Sequence, residues 1–282
     1  MTTSRLPRGA VGVIQGRLSP RPADRIQAFP RDTWKNEFAL ARELGFDGIE
    51  WIFEAPRHEE NPVASAAGRR EILDVIASSG TAVQSICGDY FMVHRLSEDG
   101  DAGERAADKL VEVMEWTHQL GARRILLPWL EEAALDTPSK REAAVRNLAR
   151  VAPEAGRLGI QLGLEMEIAG VDYARVVTDV GHPSVVAYYD TGNSTAAGFD
   201  VSSDVRPLLP LLGAVHLKDR KRGGSSQYLG SGDTAFSGLF QRLAEARFDG
   251  DFVCQHYFED PVRDATAALA FLRGFWPKER AA

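Results

Sequence analysis

Cysteine is scarce in this chain, with only Cys87 and Cys254 among 282 residues. Each sits inside an apolar, strand-like run, so both read as buried reduced thiols rather than as a disulfide framework. That points to a reducing, cytoplasmic setting. Long hydrophobic runs are also missing. The polar, basic start from Met1 to Arg8 leads into only five or six apolar residues, far short of a secretory signal or a membrane helix. No membrane partner is expected. Positive charge is in deficit, with 33 Lys and Arg against 40 Asp and Glu, a formal net charge of −7. No basic tract is interleaved with aromatics, so nucleic acid is not an expected partner. Linkers, composition shifts and low-complexity segments are absent too, which leaves residues 1–282 as one domain.

What is present is an alternation of strand and helix patterns. Strand-like Val11–Gln15 precedes a Pro-rich loop and a helix from about Asp32, an N-cap candidate, to Leu44, where Gly45 stops it. Further strands are expected at 48–52, 83–87, 124–127, 160–165, 185–189, 213–217 and 252–255. Between and after them helical patterns fall near 62–79, 102–120, 138–158, 173–180, 205–212, 236–246 and 261–274. Strands that alternate with helices in this way fit an α/β chain closed as a (β/α)8 TIM barrel.

Four of the predicted strands end in a residue able to bind a hard divalent ion: Glu165, Asp190, His216 and Gln255. They stand 25, 26 and 39 residues apart, about the length of successive strand-plus-helix units. In strand five, Ile160, Leu162 and Leu164 alternate with Gln161, Gly163 and Glu165, and sending the apolar set toward the helices turns Glu165 into the lumen. The same alternation turns Asp190, His216 and Gln255 inward at the carboxyl rim, where barrel enzymes carry their sites. Two carboxylates, an imidazole and an amide oxygen suit one divalent metal ion, with Mn2+ placed first and Mg2+, Co2+ or Zn2+ as alternatives.

At this point the chain resembles the sugar-phosphate isomerase/epimerase superfamily of xylose-isomerase-like barrels, including the L-ribulose-5-phosphate 3-epimerases. The similarity runs through Gly16-Arg17-Leu18-Ser19-Pro20, Gly45-Phe46-Asp47-Gly48-Ile49-Glu50-Trp51 and Tyr189-Asp190-Thr191-Gly192-Asn193. It continues in Val215-His216-Leu217-Lys218-Asp219 and Leu229-Gly230-Ser231-Gly232-Asp233. The resemblance implies that Glu165, Asp190 and His216 are metal ligands, with a fourth from strand eight. In the epimerases that fourth residue is a glutamate, whereas this chain has Gln255. A carboxamide can bind a metal or a hydroxyl, but it cannot take a proton, so symmetric two-carboxylate epimerisation is put in question. His256 could restore an acid/base group only if it faced the lumen.

Catalytic expectations therefore rest on Glu165 as base and ligand, on Lys218 as a cation for an enediolate oxygen, and on Gln255. A salt bridge from Lys218 to Asp190 or Asp219 is the competing role. Glu50, Asp89, His94, Glu131 and Glu132 lie near predicted strand ends, and Glu50 and His94 are taken as substrate contacts. Trp51, Phe53, Tyr90, Phe91 and Trp129 could stack on a sugar, Trp129 foremost, or pack in the core. Arg17 and the run from Lys218 through Arg222 to Ser226 could meet a phosphate or carboxylate. The leading reading is a metal-dependent isomerase or epimerase acting on a small-molecule carbohydrate. A dehydratase of a keto-sugar or keto-cyclitol and a non-catalytic sugar-binding barrel are the alternatives. Endonuclease relatives assemble several zinc ions from many histidines, and the six histidines here are scattered. Barrels of this type often pair, so a homodimer is the assembly to look for.

Overall fold

A computed structural model describes residues 9–20, 27–256 and 258–275. The Met1–Arg8 start and much of the Pro-rich loop after the first strand lie outside the described residues. In chain order the elements are β1 (Val11–Ile14), α1 (Trp34–Leu44), β2 (Gly48–Ile52), α2 (Ala66–Ser79), β3 (Ala82–Cys87), α3 (Tyr90–Val93) and α4 (Gly100–Gln119). Then come β4 (Arg124–Trp129), α5 (Pro138–Leu158), β5 (Gln161–Met166), α6 (Gly170–Val180), β6 (Val185–Asp190), α7 (Thr191–Ala196) and α8 (Val201–Asp204). The chain continues with β7 (Leu212–Leu217), a small hairpin of β8 (Asp219–Arg220) and β9 (Ser226–Gln227), α9 (Phe236–Glu245), β10 (Asp251–Cys254) and α10 (Pro261–Arg273). Strands β1–β7 and β10 close a parallel barrel in which β10 lies between β1 and β7. The fold is a single-domain (β/α)8 TIM barrel, as the alternation implied.

Local sequence explains most boundaries. Gly45, Gly80, Gly159 and Gly181 follow α1, α2, α5 and α6 in left-handed conformation, the backbone state that stops a helix and that glycine adopts without a Cβ clash. Ser65 and Thr137 cap α2 and α5 through their hydroxyls. Two expectations need correction. Asp32 does not cap α1; Thr33 holds that position without a side-chain bond, and the Pro30 carbonyl receives the Trp34 N–H at 2.8 Å. The expected helix at 205–212 is a 3-10 segment, Arg206–Leu211; Pro207 is tolerated in the first turn, whereas Pro210 removes a backbone donor an α-helix would use.

The strands bury their outer faces against the helices. Trp51 is fully buried and packs against Phe29, Trp34 and Phe38, with its indole N–H donated to Asn61 Oδ1 at 2.9 Å. Phe53 packs against Tyr90 and Trp116, and Phe91 is fully buried, so these aromatics serve the core rather than a sugar platform. Cys87 and Cys254 are buried and free, and burial pushes the Cys254 thiol up to about 12. No helix among the described residues is long and apolar enough to cross a membrane.

The amino end of the barrel is closed by a buried ion pair that sequence patterning did not reveal. Arg124, first in β4, donates to Asp251, first in β10, at 2.8 Å, with both side chains at most 6% exposed. Arg124 also reaches Gln161 Oε1 at 2.6 Å, joining β4, β5 and β10. Asp251→Ala should cost about 3–5 kcal/mol, since it leaves a buried guanidinium without its counter-charge. Denaturant unfolding checks this, with metal affinity of the folded variant expected to be unchanged.

Candidate metal centre

Glu165 is the penultimate residue of β5, Asp190 the last of β6 and His216 the penultimate of β7. Asp190 and His216 are paired in register, so their side chains stand side by side at the carboxyl rim. Behind them, Tyr173 of α6 ties β5 to β6. Its hydroxyl contacts the Leu164 carbonyl and accepts the Tyr188 N–H at 3.1 Å. One ligand atom from each of Glu165, Asp190 and His216 lies within 4.8 Å of the others, and all three residues are buried. His216 Nδ1 is 3.8 Å from Glu165 Oε2 and 3.9 Å from Asp190 Oδ2.

Hydrogen bonding decides which atoms are available. His216 Nε2 lies 2.7 Å from Glu50 Oε1, which fixes an N–H on Nε2 and turns Nδ1, the nitrogen that can give up its proton to a metal, toward the two carboxylates. Nδ1 and Asp190 Oδ2 are both buried without a hydrogen-bond partner. Buried polar atoms without partners are costly. Two of them converging with Glu165 Oε2 match the donor types a divalent ion takes, and an ion held there would keep further positions for water or ligand. The residues present therefore fit a metal.

Asn193 sets the other oxygens aside. Its backbone N–H donates to Asp190 Oδ1 at 2.7 Å, the N-cap bond of α7, and its side-chain Nδ2 donates to Glu165 Oε1 at 3.1 Å. One residue thus occupies the non-converging oxygen of both carboxylates. Asn193→Ala is expected to weaken metal affinity by about 10–100-fold, as loss of such supporting bonds does elsewhere. Competition against a fluorescent chelator reads the change.

Electrostatics agrees with the geometry. Burial opposes a charged His216, but Glu50 and Glu165 outweigh it and push the imidazole up to about 10. Burial also opposes the Glu50 charge, yet His216, Tyr188 and Ser85 together hold Glu50 below the ordinary carboxylate range. Glu165 is raised, chiefly by burial against the pull of His216, with Asp190 adding to the rise. Without an ion, Glu165 and Asp190 favour a proton on His216 Nδ1, and a bound divalent cation would take that proton's place.

The remaining expected residues are placed as follows. Glu50 is not at the open rim: it is completely buried, accepting from Ser85 (2.7 Å), Tyr188 (2.6 Å) and His216. Gly163 makes room for the Tyr188 ring, since a Cβ there would lie 2.8 Å from it. Lys218 Nζ is 3.1 Å from Asn193 Oδ1, 3.4 Å from Gln255 Oε1 and 3.7 Å from Asp190 Oδ2, so of its two expected ion-pair partners it meets Asp190. Gln255 stands just past β10, and its carboxamide faces Lys218 and Gln27. Arg17 is buried and gives its donors to the Gln255 and His256 carbonyls at 3.1 Å, which pins the end of β10 and departs from the anion-binding expectation. His256 is buried against Phe258 and, driven by desolvation and then by Arg17, falls to about 3; it is a neutral ring. His94 stacks on Tyr90 at 4.3 Å beside His58, in an aromatic cluster rather than among the ligand atoms. Trp129 ends β4 and is 1% exposed. Arg222 is at the surface, with Nη1 on the Gly198 carbonyl. Asp219 accepts from the Gly230, Gly232 and Thr234 N–H groups, which explains why the His-Leu-Lys-Asp and Gly-Ser-Gly-Asp segments occur together.

The sequence profile of the family described as "Xylose isomerase-like TIM barrel" matches residues 38–275. The chain belongs to this xylose isomerase-like TIM barrel family. Among curated relatives it is 24% identical over 268 residues to the L-ribulose-5-phosphate 3-epimerase UlaE of Escherichia coli, covering 89% of this chain and 91% of that one. Among solved structures, a xylose isomerase-like TIM barrel protein from Mycobacterium smegmatis in complex with magnesium superposes with a TM-score of 0.73. That protein is 21% identical, over 95% of this chain and 96% of that one. A D-allulose 3-epimerase from Methylomonas sp. also gives a TM-score of 0.73, at 17% identity over 97% and 100% of the two chains. In this xylose isomerase-like barrel Glu165, Asp190 and His216 cluster at the carboxyl rim, and the Gln255 amide stands just past the neighbouring strand β10.

Proposed function

We propose that this chain is an enzyme, a divalent-metal-dependent isomerase or epimerase of a keto-sugar that moves a proton on the carbon next to a carbonyl. The observation that carries the reading is the convergence of two buried atoms without hydrogen-bond partners, His216 Nδ1 and Asp190 Oδ2, on the same space as Glu165 Oε2. The L-ribulose-5-phosphate 3-epimerase and D-allulose 3-epimerase relatives support a sugar substrate, and the magnesium-bound neighbour supports the metal. Glu165, Asp190 and His216 would hold the ion. When bound, it supplies Lewis acidity, drawing electron density from a nearby carbonyl and making the adjacent C–H more acidic.

This chain's own residues do the rest. Glu165 is the carboxylate placed to receive the proton, with Asn193 fixing its rotamer through Oε1. Lys218 directs its ammonium into the same space and would balance negative charge developing on a substrate oxygen. Gln255 holds an oxygen in place without exchanging a proton. A single base beside a cation favours proton transfer between adjacent carbons, or loss of a hydroxyl, over symmetric two-carboxylate inversion. A keto-sugar dehydratase is therefore the second reading, and the Gln255 carboxamide is what favours it.

The test is solvent deuterium exchange. Incubated with L-ribulose or D-allulose in deuterium oxide, the Mn2+-loaded protein should introduce one deuterium beside the carbonyl, followed by mass spectrometry and NMR. Product of unchanged mass number apart from deuterium supports isomerisation or epimerisation, and loss of water supports the second reading. Absence of exchange from both sugars counts against the proposal.

A further inference from the structure

Helix α1 buries Trp34, Phe38 and Ala41 along one stripe, and Glu37 stands in the same stripe, 1% exposed. A carboxyl is costly in such a position unless it holds a partner there. Its partner is the turn that follows β1. Glu37 Oε1 accepts the Gly16 N–H at 2.9 Å and the Leu18 N–H at 3.1 Å, so one oxygen takes the main-chain donors on both sides of Arg17. Gly16 is left-handed, with φ 81°, and bends the chain sharply enough for the two N–H groups to converge. Thr33, at the start of α1, adds a hydroxyl bond to Ser19 Oγ at 2.8 Å.

What the turn presents is Arg17. Its guanidinium crosses to the end of β10, with Nε 3.1 Å from the His256 carbonyl, Nη2 3.1 Å from the Gln255 carbonyl and Nη2 3.5 Å from Gln27 Oε1. The register of β1 with β10 runs as far as Val13 and Cys254, and beyond that pair Arg17 bridges the two strand ends. Gln255 in turn donates its N–H to the Leu217 carbonyl at 3.1 Å, and its Oε1 is 3.4 Å from Lys218 Nζ. Glu37, Arg17, Gln255 and Lys218 are thus consecutive links from a buried helix position to the rim of the metal centre.

Burial pushes the Glu37 carboxyl up to about 7, against the bonds from Ser19, Gly16 and Leu18 and the pull of Arg17. Its charge therefore costs the fold stability above that pH rather than supplying it. A carboxylate in the first turn does suit the dipole of α1, and this is the purely structural role that a test has to separate.

We propose that Glu37 is a positioning residue for the centre: it holds the Gly16–Ser19 turn so that Arg17 clamps the end of β10, and thereby sets where the Gln255 amide stands beside Lys218. This rests on the reading above that a keto-sugar reacts at the metal centre, where Gln255 holds one of its oxygens.

Two substitutions separate reach from charge. Glu37→Asp keeps the charge for the helix dipole but draws the oxygen back by about 1.5 Å, one carbon–carbon bond. Glu37→Gln drops the charge and keeps an acceptor at full reach. Both are read in the folded, Mn2+-loaded chain by hydrogen exchange, followed by mass spectrometry, of the segment from Phe252 to His256, and by KM and kcat for L-ribulose and D-allulose in the deuterium assay. Glu37→Asp should speed exchange of that segment and raise KM by about tenfold each, with kcat held within about twofold, as loss of a ground-state contact does. Glu37→Gln should stay within about threefold of the unmodified chain in both readouts. Because Glu37 acts through Arg17, Glu37→Asp combined with Arg17→Lys should be no worse than the more damaged of the two single variants. The reverse order, with Glu37→Asp normal and Glu37→Gln loosened, overturns the proposal, and so do effects that multiply in the double variant. If the unmodified, metal-loaded chain exchanges neither sugar, the keto-sugar reading fails, and the hydrogen exchange of Phe252 to His256 still decides whether Glu37 positions Gln255.

Discussion

Replacing Glu165 by glutamine is expected to slow proton transfer by about a thousandfold, the range in which a positioned acid/base group contributes. The side chain keeps its length and one oxygen for a metal, so some metal binding should survive while deuterium exchange beside the ketose carbonyl is lost. A Glu165→Gln protein that binds Mn2+ and still exchanges at the rate of the unmodified chain would move the base elsewhere. Asp89 is then the next candidate, because burial, with Glu50 and Glu54 adding, raises its carboxyl against the opposing bonds from Gln27 and Cys87. Exchange rate and bound metal must be measured on the same preparation, since a loss of both together would only report a broken site.

Replacing Glu50 by alanine is expected to have a larger effect on stability than any change at the open rim. The carboxylate accepts from His216, Tyr188 and Ser85, and all of these are buried. Its removal strands an imidazole whose charge it balances and two hydroxyl groups, at a cost of about 3–5 kcal/mol for the broken buried pair. It also frees His216 to rotate or to change tautomer, so metal affinity should drop by about 10–100-fold. Glu50→Gln keeps an acceptor and the shape of the site. It should recover much of the stability while remaining weak for metal, because an amide no longer favours the Nε2–H tautomer by charge. Chemical denaturation and chelator competition on the two variants separate these effects. Equal metal affinity in Glu50→Gln and the unmodified chain would reduce Glu50 to a packing role.

Glu50 also shows where sequence reading stops. It is the middle residue of the Gly-Ile-Glu-Trp-Ile strand, and alternation turns it into the lumen, but alternation does not say that it meets a histidine 166 residues away. Such a contact depends on the barrel closing and on the register shift between β2 and β3, and neither leaves a periodic signal. Glu165, Asp190 and His216 were legible because each ends a short apolar run, which fixes both face and height. Asn193 was visible only as the last residue of Tyr189-Asp190-Thr191-Gly192-Asn193, one of the segments that carry the family resemblance. Its role follows from the turn into α7, which brings its backbone and side chain to two different carboxylates. Charge in the sequence was the least informative signal. Arg17 and the Lys218–Arg222 run looked like anion sites, yet Lys218 meets Asp190, Lys221 and Arg222 meet Asp233, and Arg17 and Arg220 reach carbonyls. Arg124 and Asp251 form a buried pair that no pattern in the sequence joins.

The central claim is that Glu165, Asp190 and His216 hold one divalent ion, and metal content tests it most directly. The purified chain is stripped with a chelator, reloaded with Mn2+, desalted and measured by elemental mass spectrometry beside Asp190→Ala and His216→Ala. Both variants must first be shown to be folded by circular dichroism. The account predicts about one ion per unmodified chain and almost none in either variant. No retained ion in the unmodified chain, or equal retention in folded Asp190→Ala and His216→Ala, would contradict it.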